Sequence, residues 1–218
     1  MDPMKTINQK LDEGRQYRNI DVSSFERRAE EDGEMRVSGY ATVFNTPYVL
    51  WSYDGYTVRE QIAPEAFDDC DMDDVIMQYN HEGRVFARTS NDTLTVATDE
   101  TGLKIDARLG GTELGRQVYE EIDGGYTTKM SFGFKVKEDK REVTEDRETG
   151  TVDVLRTITK MSKLYDVSAV SIPANDATSI SARSYSEGVI EEIKEEILKR
   201  EERARRIRKI KIMMEATK

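Results

Sequence analysis

Between Met35 and Ile172 the chain is built from short stretches in which apolar and polar residues alternate, each cut off by Gly, Pro, Asn or Asp. Alternation of period two places every second side chain on one face of a strand, and turn residues so closely spaced leave little room for long helices. Residues 35–44 alternate with Gly39 among them, which predicts a strand with a bulge or a close backbone approach at that glycine. Asn45-Thr-Pro47 ends it. Residues 56–62, 75–81, 85–89, 94–98 and 102–109 read as further strands. Within this series, residues 63–67 read as a helix entry with Pro64 near its first position, and residues 68–74 as a solvated acidic loop.

One helix interrupts the strands. Residues 112–123 carry Thr112 as a cap, Leu114, Val118 and Ile122 on one face, and Gly124-Gly125 as a stop. The strand around Met130-Ser-Phe132 follows, then a charged hairpin tip over 137–150, a strand at 152–158 and another at 163–172. From Glu187 the period changes. Ile190, Ile193, Ile197, Ala204 and Ile207 recur every three to four residues or multiples of that spacing, with Glu195/Lys199, Glu196/Arg200, Glu201/Arg205 and Glu202/Arg206 set for i,i+4 ion pairs. This predicts a long amphipathic helix, suited to a coiled-coil seam, to a partner, or to its own domain. Residues 1–24 are polar with little periodicity and read as a flexible N-terminal arm, or a short helix that docks weakly. The expected organisation is thus an arm (1–24), a strand-rich domain (25–186) and a charged amphipathic C-terminal helix (187–218).

Composition narrows the function classes. The formal net charge is -10, which argues against a general nucleic-acid binder. The single cysteine, Cys70, excludes an internal disulfide framework, and one Cys with one His speaks against a structural zinc site. No run of about 18 apolar residues exists to span a membrane, and the N-terminus carries no apolar signal region.

Chemistry concentrates on three positions. Ser131 sits between Met130 and Phe132 with Gly133 following, and a serine hydroxyl is a poor nucleophile until a base takes its proton. His81 is the one imidazole available as that base. A carboxylate is needed to orient the ring, and Asp166 stands out because it interrupts the apolar run Leu164-Tyr-Asp-Val-Ser-Ala-Val170. A carboxylate inside a buried strand is costly unless paired. Alternation leaves two places for Asp166: it shares a face with Leu164 and Ser168, opposite Tyr165 and Val167, so it belongs either to a paired buried site or to the solvent face of an edge strand. There is no Gly-x-Ser-x-Gly elbow and no phosphate-binding loop.

Six blocks occur in a telling order: Gly39-Tyr-Ala-Thr-Val-Phe44, Glu60-Gln-Ile-Ala-Pro-Glu-Ala-Phe67, Asn80-His81, Gly102-Leu103, Ser131-Phe-Gly-Phe134, and Asp166-Val-Ser-Ala-Val-Ser-Ile-Pro-Ala-Asn175. Over residues 25–185 the chain resembles the prohead (capsid maturation) serine proteases of tailed bacteriophages. The resemblance implies an α+β fold: a closed, mostly antiparallel β-barrel with a few helices around it, like that of the herpesvirus protease assemblin. It implies a serine endopeptidase with Ser131 as nucleophile, His81 as base and Asp166 as the third member, where the family more often carries Glu. No cofactor is implied. Such enzymes act inside the immature capsid, in the bacterial host cytoplasm, where they cleave the scaffolding segment of the major capsid protein, or a scaffold protein, and then themselves. Self-association of copies is compatible with this reading.

Two rival readings use other features. A non-catalytic assembly protein would use the strand-rich domain as a core and the C-terminal helix to join capsid or scaffold subunits. A nucleic-acid-associated factor would use the basic residues 203–211, against the acidity of the whole chain.

Overall fold

The computed structural model describes residues 14–20, 26–29, 34–170 and 180–215. Eleven strands and two α-helices are formed among them, an α+β architecture dominated by strands. The strands are β1 (Gln16–Ile20), β2 (Glu26–Ala29), β3 (Met35–Val43), β4 (Tyr48–Tyr53), β5 (Tyr56–Ile62), β6 (Ile76–Tyr79), β7 (Glu82–Arg88), β8 (Leu94–Thr98), β9 (Gly102–Arg108), β10 (Lys129–Asp146) and β11 (Thr151–Val170). The helices are α1 (Glu113–Asp123) and α2 (Ile180–Glu215).

Two sheets result. One has seven strands, with the path β1-β10-β11-β5-β4 and with β6 and β7 branching from β11; the other has four, ordered β2-β3-β9-β8. The organising strand is β11. Its first half pairs parallel with β5 over Val152–Ile158, and its second half pairs parallel with β6 over Asp166–Ala169. Its other edge is taken along nearly its whole length by β10. The closed barrel expected from the family resemblance is not formed by the described residues. Because β11 is long enough to take two different neighbours on one edge, the large sheet forks instead of curling round to meet itself. The two sheets meet at a corner, where Phe44 bridges Ile62 and its N–H donates to the Thr101 carbonyl.

The strands expected at 152–158 and 163–172 are one strand through Val170, and its register against β10 is irregular in between: Thr159, Ser162 and Tyr165 of β11, and Lys137 of β10, are skipped in the pairing. The irregularity expected at Gly39 lies at Ala41, between Tyr40 and Thr42. Residues 63–67 form only a 3-10 turn, Pro64–Phe67. In α1 the Thr112 hydroxyl accepts from the Gly115 N–H, as expected of a cap. Its buried stripe, however, is Gly115, Val118 and Ile122; Leu114 is 38% exposed. Gly115 lies so close to the Leu109 carbonyl that a Cβ there would overlap it, and this contact sets the rotation of the helix.

The main core lies between the sheets, with Phe132, Phe134, Leu103, Ile105, Met77 and Leu164 among its fully buried members. A second apolar cluster joins Leu50, Val58, Val152 and Val154 to Tyr185, Val189, Ile190 and Ile193 of α2. The long helix therefore starts seven residues before the predicted boundary and packs its first turns on its own domain. Its remainder, from Glu201 onward, is exposed. The pairs Glu195–Lys199 and Glu201–Arg205 form, whereas Arg200 binds Glu145 near the tip of the β10–β11 hairpin. Residues 16–20 are not part of a loose arm: they form β1, paired with β10. Residues 1–13 lie outside the described residues. No helix among the described residues is long and apolar enough to cross a membrane.

Candidate active site

Of the three residues singled out in the sequence, Ser131 and Asp166 lie on the paired strands β10 and β11, and His81 lies in the turn that leaves β6, the neighbour of β11 on its other edge. Ser131 on β10 is the register partner of Ser168 on β11, and Gly133 is the partner of Asp166. On the other edge of β11, Tyr79 of β6 pairs with Ala169, and the Asn80 N–H donates to the Ala169 carbonyl. The chain then reverses at once. Asn80 and His81 both have positive φ (50° and 60°), and Tyr79 pairs with Glu82. A two-residue hairpin with left-handed backbone at both central positions matches the twist of its strands, and Asn tolerates it well. A histidine in that conformation is uncommon. The turn expected after His81 thus contains His81, and it turns the imidazole back over β11.

The three side chains meet. His81 Nε2 lies 2.6 Å from Ser131 Oγ, and His81 Nδ1 lies 2.5 Å from Asp166 Oδ2. An ionised carboxylate only accepts, so Nδ1 carries the proton and Nε2 is left to accept from the hydroxyl. The Ser131 hydroxyl has a second acceptor, the Arg18 carbonyl of β1 at 2.9 Å. With one proton it serves one acceptor at a time; when it turns to Arg18, Nε2 can face Oγ only as a donor, which makes the ring a cation. Ser131 is completely buried and His81 is 16% exposed, with the Tyr17 ring 4.3 Å from the imidazole.

Asp166 is buried and paired, which settles the choice alternation left open. Besides His81, it accepts from the Ser168 hydroxyl at 2.8 Å and from the Arg15 guanidinium. Burial opposes its charge, but the hydrogen bond and charge of His81, the Ser168 hydroxyl and Arg15 outweigh that and hold its carboxyl below the ordinary aspartate range. Gly133 leaves the space this carboxylate fills: a Cβ there would overlap Asp166 Oδ1 and press on Arg15.

Below the site lies a buried charge network that the sequence reading missed. Glu60 accepts from Arg18 Nε at 2.5 Å, Arg156 Nη1 at 2.9 Å and the Tyr48 hydroxyl at 2.7 Å. Arg156 also reaches Asp139, with its guanidinium carbon 4.0 Å from the Tyr185 ring centroid. Burial pushes Glu60 up, but the two guanidinium groups and the hydrogen bonds from Arg18 and Tyr48 hold it below its usual value. The signal was present for Glu60, which alternates with Val58 and Ile62 and so points inward with them. Arg15, Tyr17 and Arg18 gave no comparable signal, because they lie in a polar stretch whose strand exists only by pairing with β10.

A hydroxyl, an imidazole and a carboxylate linked in this order form the arrangement on which serine hydrolases rely. Residues 23–196 match the family model described as caudovirus prohead serine protease, and the chain belongs to that family of phage capsid-maturation serine proteases. Among solved structures, it is similar to the bacteriophage T4 capsid assembly protease, gp21, at 10% identity and a TM-score of 0.36, over 72% of this chain and 96% of that one. No curated protein matches the sequence.

Proposed function

We propose that Ser131, His81 and Asp166 carry the reaction of this serine protease. Ser131 Oγ attacks a peptide carbonyl as its proton passes to His81 Nε2. The imidazolium, held by Asp166, then gives that proton to the departing amine. Water, deprotonated by His81, hydrolyses the resulting acyl-enzyme. The observation that carries this reading is the continuous hydrogen-bonded path from Oγ through the ring to Oδ2. The amides of Phe132 and Gly133 lie in a strand flanked by β1 and β11, so a neighbouring loop is the better source of donors to the oxyanion.

The substrate, in the same reading, is the scaffolding segment of the capsid protein, or a scaffold protein, cleaved inside the prohead, with self-cleavage following. The exposed far half of α2, which presents Ile207 and Ile210, supports an added role in engaging helical scaffold. Co-expression with the cognate capsid protein tests the whole. Cleavage followed by intact mass is expected in the wild type and absent in Ser131→Ala and His81→Ala, with Asp166→Asn slowed on the order of 10⁴-fold. Cleavage that persists in Ser131→Ala removes Ser131 as the nucleophile.

A further inference from the structure

Arg15 lies upstream of the residues matched by the family model, yet it reaches the carboxylate of Asp166. Its guanidinium carbon sits 5.0 Å from the Tyr17 ring centroid and 4.7 Å from that of Tyr165. The first tyrosine comes from β1 and the second from β11, so the cation is held between two elements by attraction to both rings. Gly133 leaves room for it, since a Cβ there would lie 2.9 Å from Arg15 Nε and 3.0 Å from Nη2. The oxygens of Asp166 are divided: Oδ1 goes to Arg15, and Oδ2 to His81 and Ser168.

We propose that Arg15 is a positioning residue of the active site, which clamps Oδ1 of Asp166 so that Oδ2 stays aimed at His81 Nδ1. The inference rests on the proposed roles of His81 and Asp166. The carboxylate of an aspartate turns about a soft torsion. An always-charged, planar donor fixed between two rings removes that freedom. The N-terminal strand and the residue that precedes it therefore contribute two groups around His81: Tyr17 against the ring, and Arg15 on the carboxylate that orients it.

His81 is the single histidine, so its ring proton can be read by NMR without ambiguity of assignment. A far-downfield Nδ1–H resonance is expected in the wild type, lost in Asp166→Asn, moved upfield or broadened in Arg15→Ala, and largely restored in Arg15→Lys. Capsid-protein cleavage should follow the same order: Arg15→Ala lowers kcat by about 10- to 100-fold, the effect of loosening a catalytic group by about 1 Å, with KM unchanged. On the Asp166→Asn background Arg15→Ala should add nothing, because both changes act through one group. Arg18 anchors β1 independently through Glu60, so the thermal midpoint of Arg15→Ala should stay near that of the wild type.

A resonance lost in Asp166→Asn but unchanged in Arg15→Ala overturns the role of Arg15 alone. So does a loss of kcat that is fully additive with Asp166→Asn. A resonance missing from the wild type, or untouched by Asp166→Asn, overturns the His81–Asp166 reading beneath it.

Discussion

Gly133 and Asp166 are register partners across β10 and β11, and the side chain missing from the first is the space taken by the carboxylate of the second. The Ser131-Phe-Gly-Phe134 block is thereby explained. Ser131 and Gly133 lie on one face toward the site, while Phe132 and Phe134 fill the core with rings stacked 4.7 Å apart. Gly133→Ala should displace Asp166 and cut capsid-protein cleavage about 100-fold, the effect of an error near 1 Å in a catalytic group. Overpacking should lower stability by about 1–3 kcal/mol, measured by urea unfolding. A variant with wild-type cleavage would show that Asp166 does not act where it stands.

Glu60 holds two arginines from different strands, Arg18 of β1 and Arg156 of β11. Glu60→Gln removes the charge but little volume and leaves Arg18 buried without its carboxylate, while Arg156 keeps Asp139. Losing one partner of a buried ion pair costs about 3–5 kcal/mol, and urea unfolding should show a loss of that order. Because the Arg18 carbonyl also contacts Ser131, cleavage should fall as well.

Acid should act through the same two carboxylates. Asp166 and Glu60 are both stronger acids in the folded chain than in the unfolded one, where Asp titrates near 3.9 and Glu near 4.3. The stability they contribute is present in full above about pH 4.5 and is lost as pH falls through their lower folded values. Unfolding free energies measured from pH 7 to pH 3 should decline steeply at the acid end. The decline should be shallower in Asp166→Asn and in Glu60→Gln, each less stable at pH 7 to begin with.

The two halves of α2 should respond oppositely to change. Val189 is buried against the strands, and Val189→Asp should destabilise the domain by several kcal/mol, since it places an unpaired charge in an apolar cluster. Ending the chain after Ala204 removes only exposed helix among the described residues and should shift stability by less than about 0.5 kcal/mol. Thermal unfolding of the two variants compares them directly.

Much of this was legible because strands announce themselves by period two. The strand at Leu94–Thr98 and the Thr112 cap are found where alternation and capping chemistry placed them. Ser131, His81 and Asp166 were picked out by scarcity and by an interrupted apolar run, and the structure brings them together. What stayed hidden depends on long-range pairing. β1 carries no strong apolar pattern, and its buried Arg18 is stabilised by Glu60, 42 residues away in sequence. The left-handed turn at Asn80-His81 lacks the glycine that usually marks such a turn. The fork in the large sheet follows from the length of β11, which reads in sequence as two strands separated by a polar interval.

The most direct test of the central claim is the rate at which a fluorophosphonate, which reacts with activated serines, modifies the chain, followed by intact mass and peptide mapping from pH 5 to 9. A single adduct is expected, on Ser131. The adduct should be abolished in Ser131→Ala and slowed by orders of magnitude in His81→Ala. An adduct on another residue, or modification of Ser131 at an undiminished rate in His81→Ala, would contradict it.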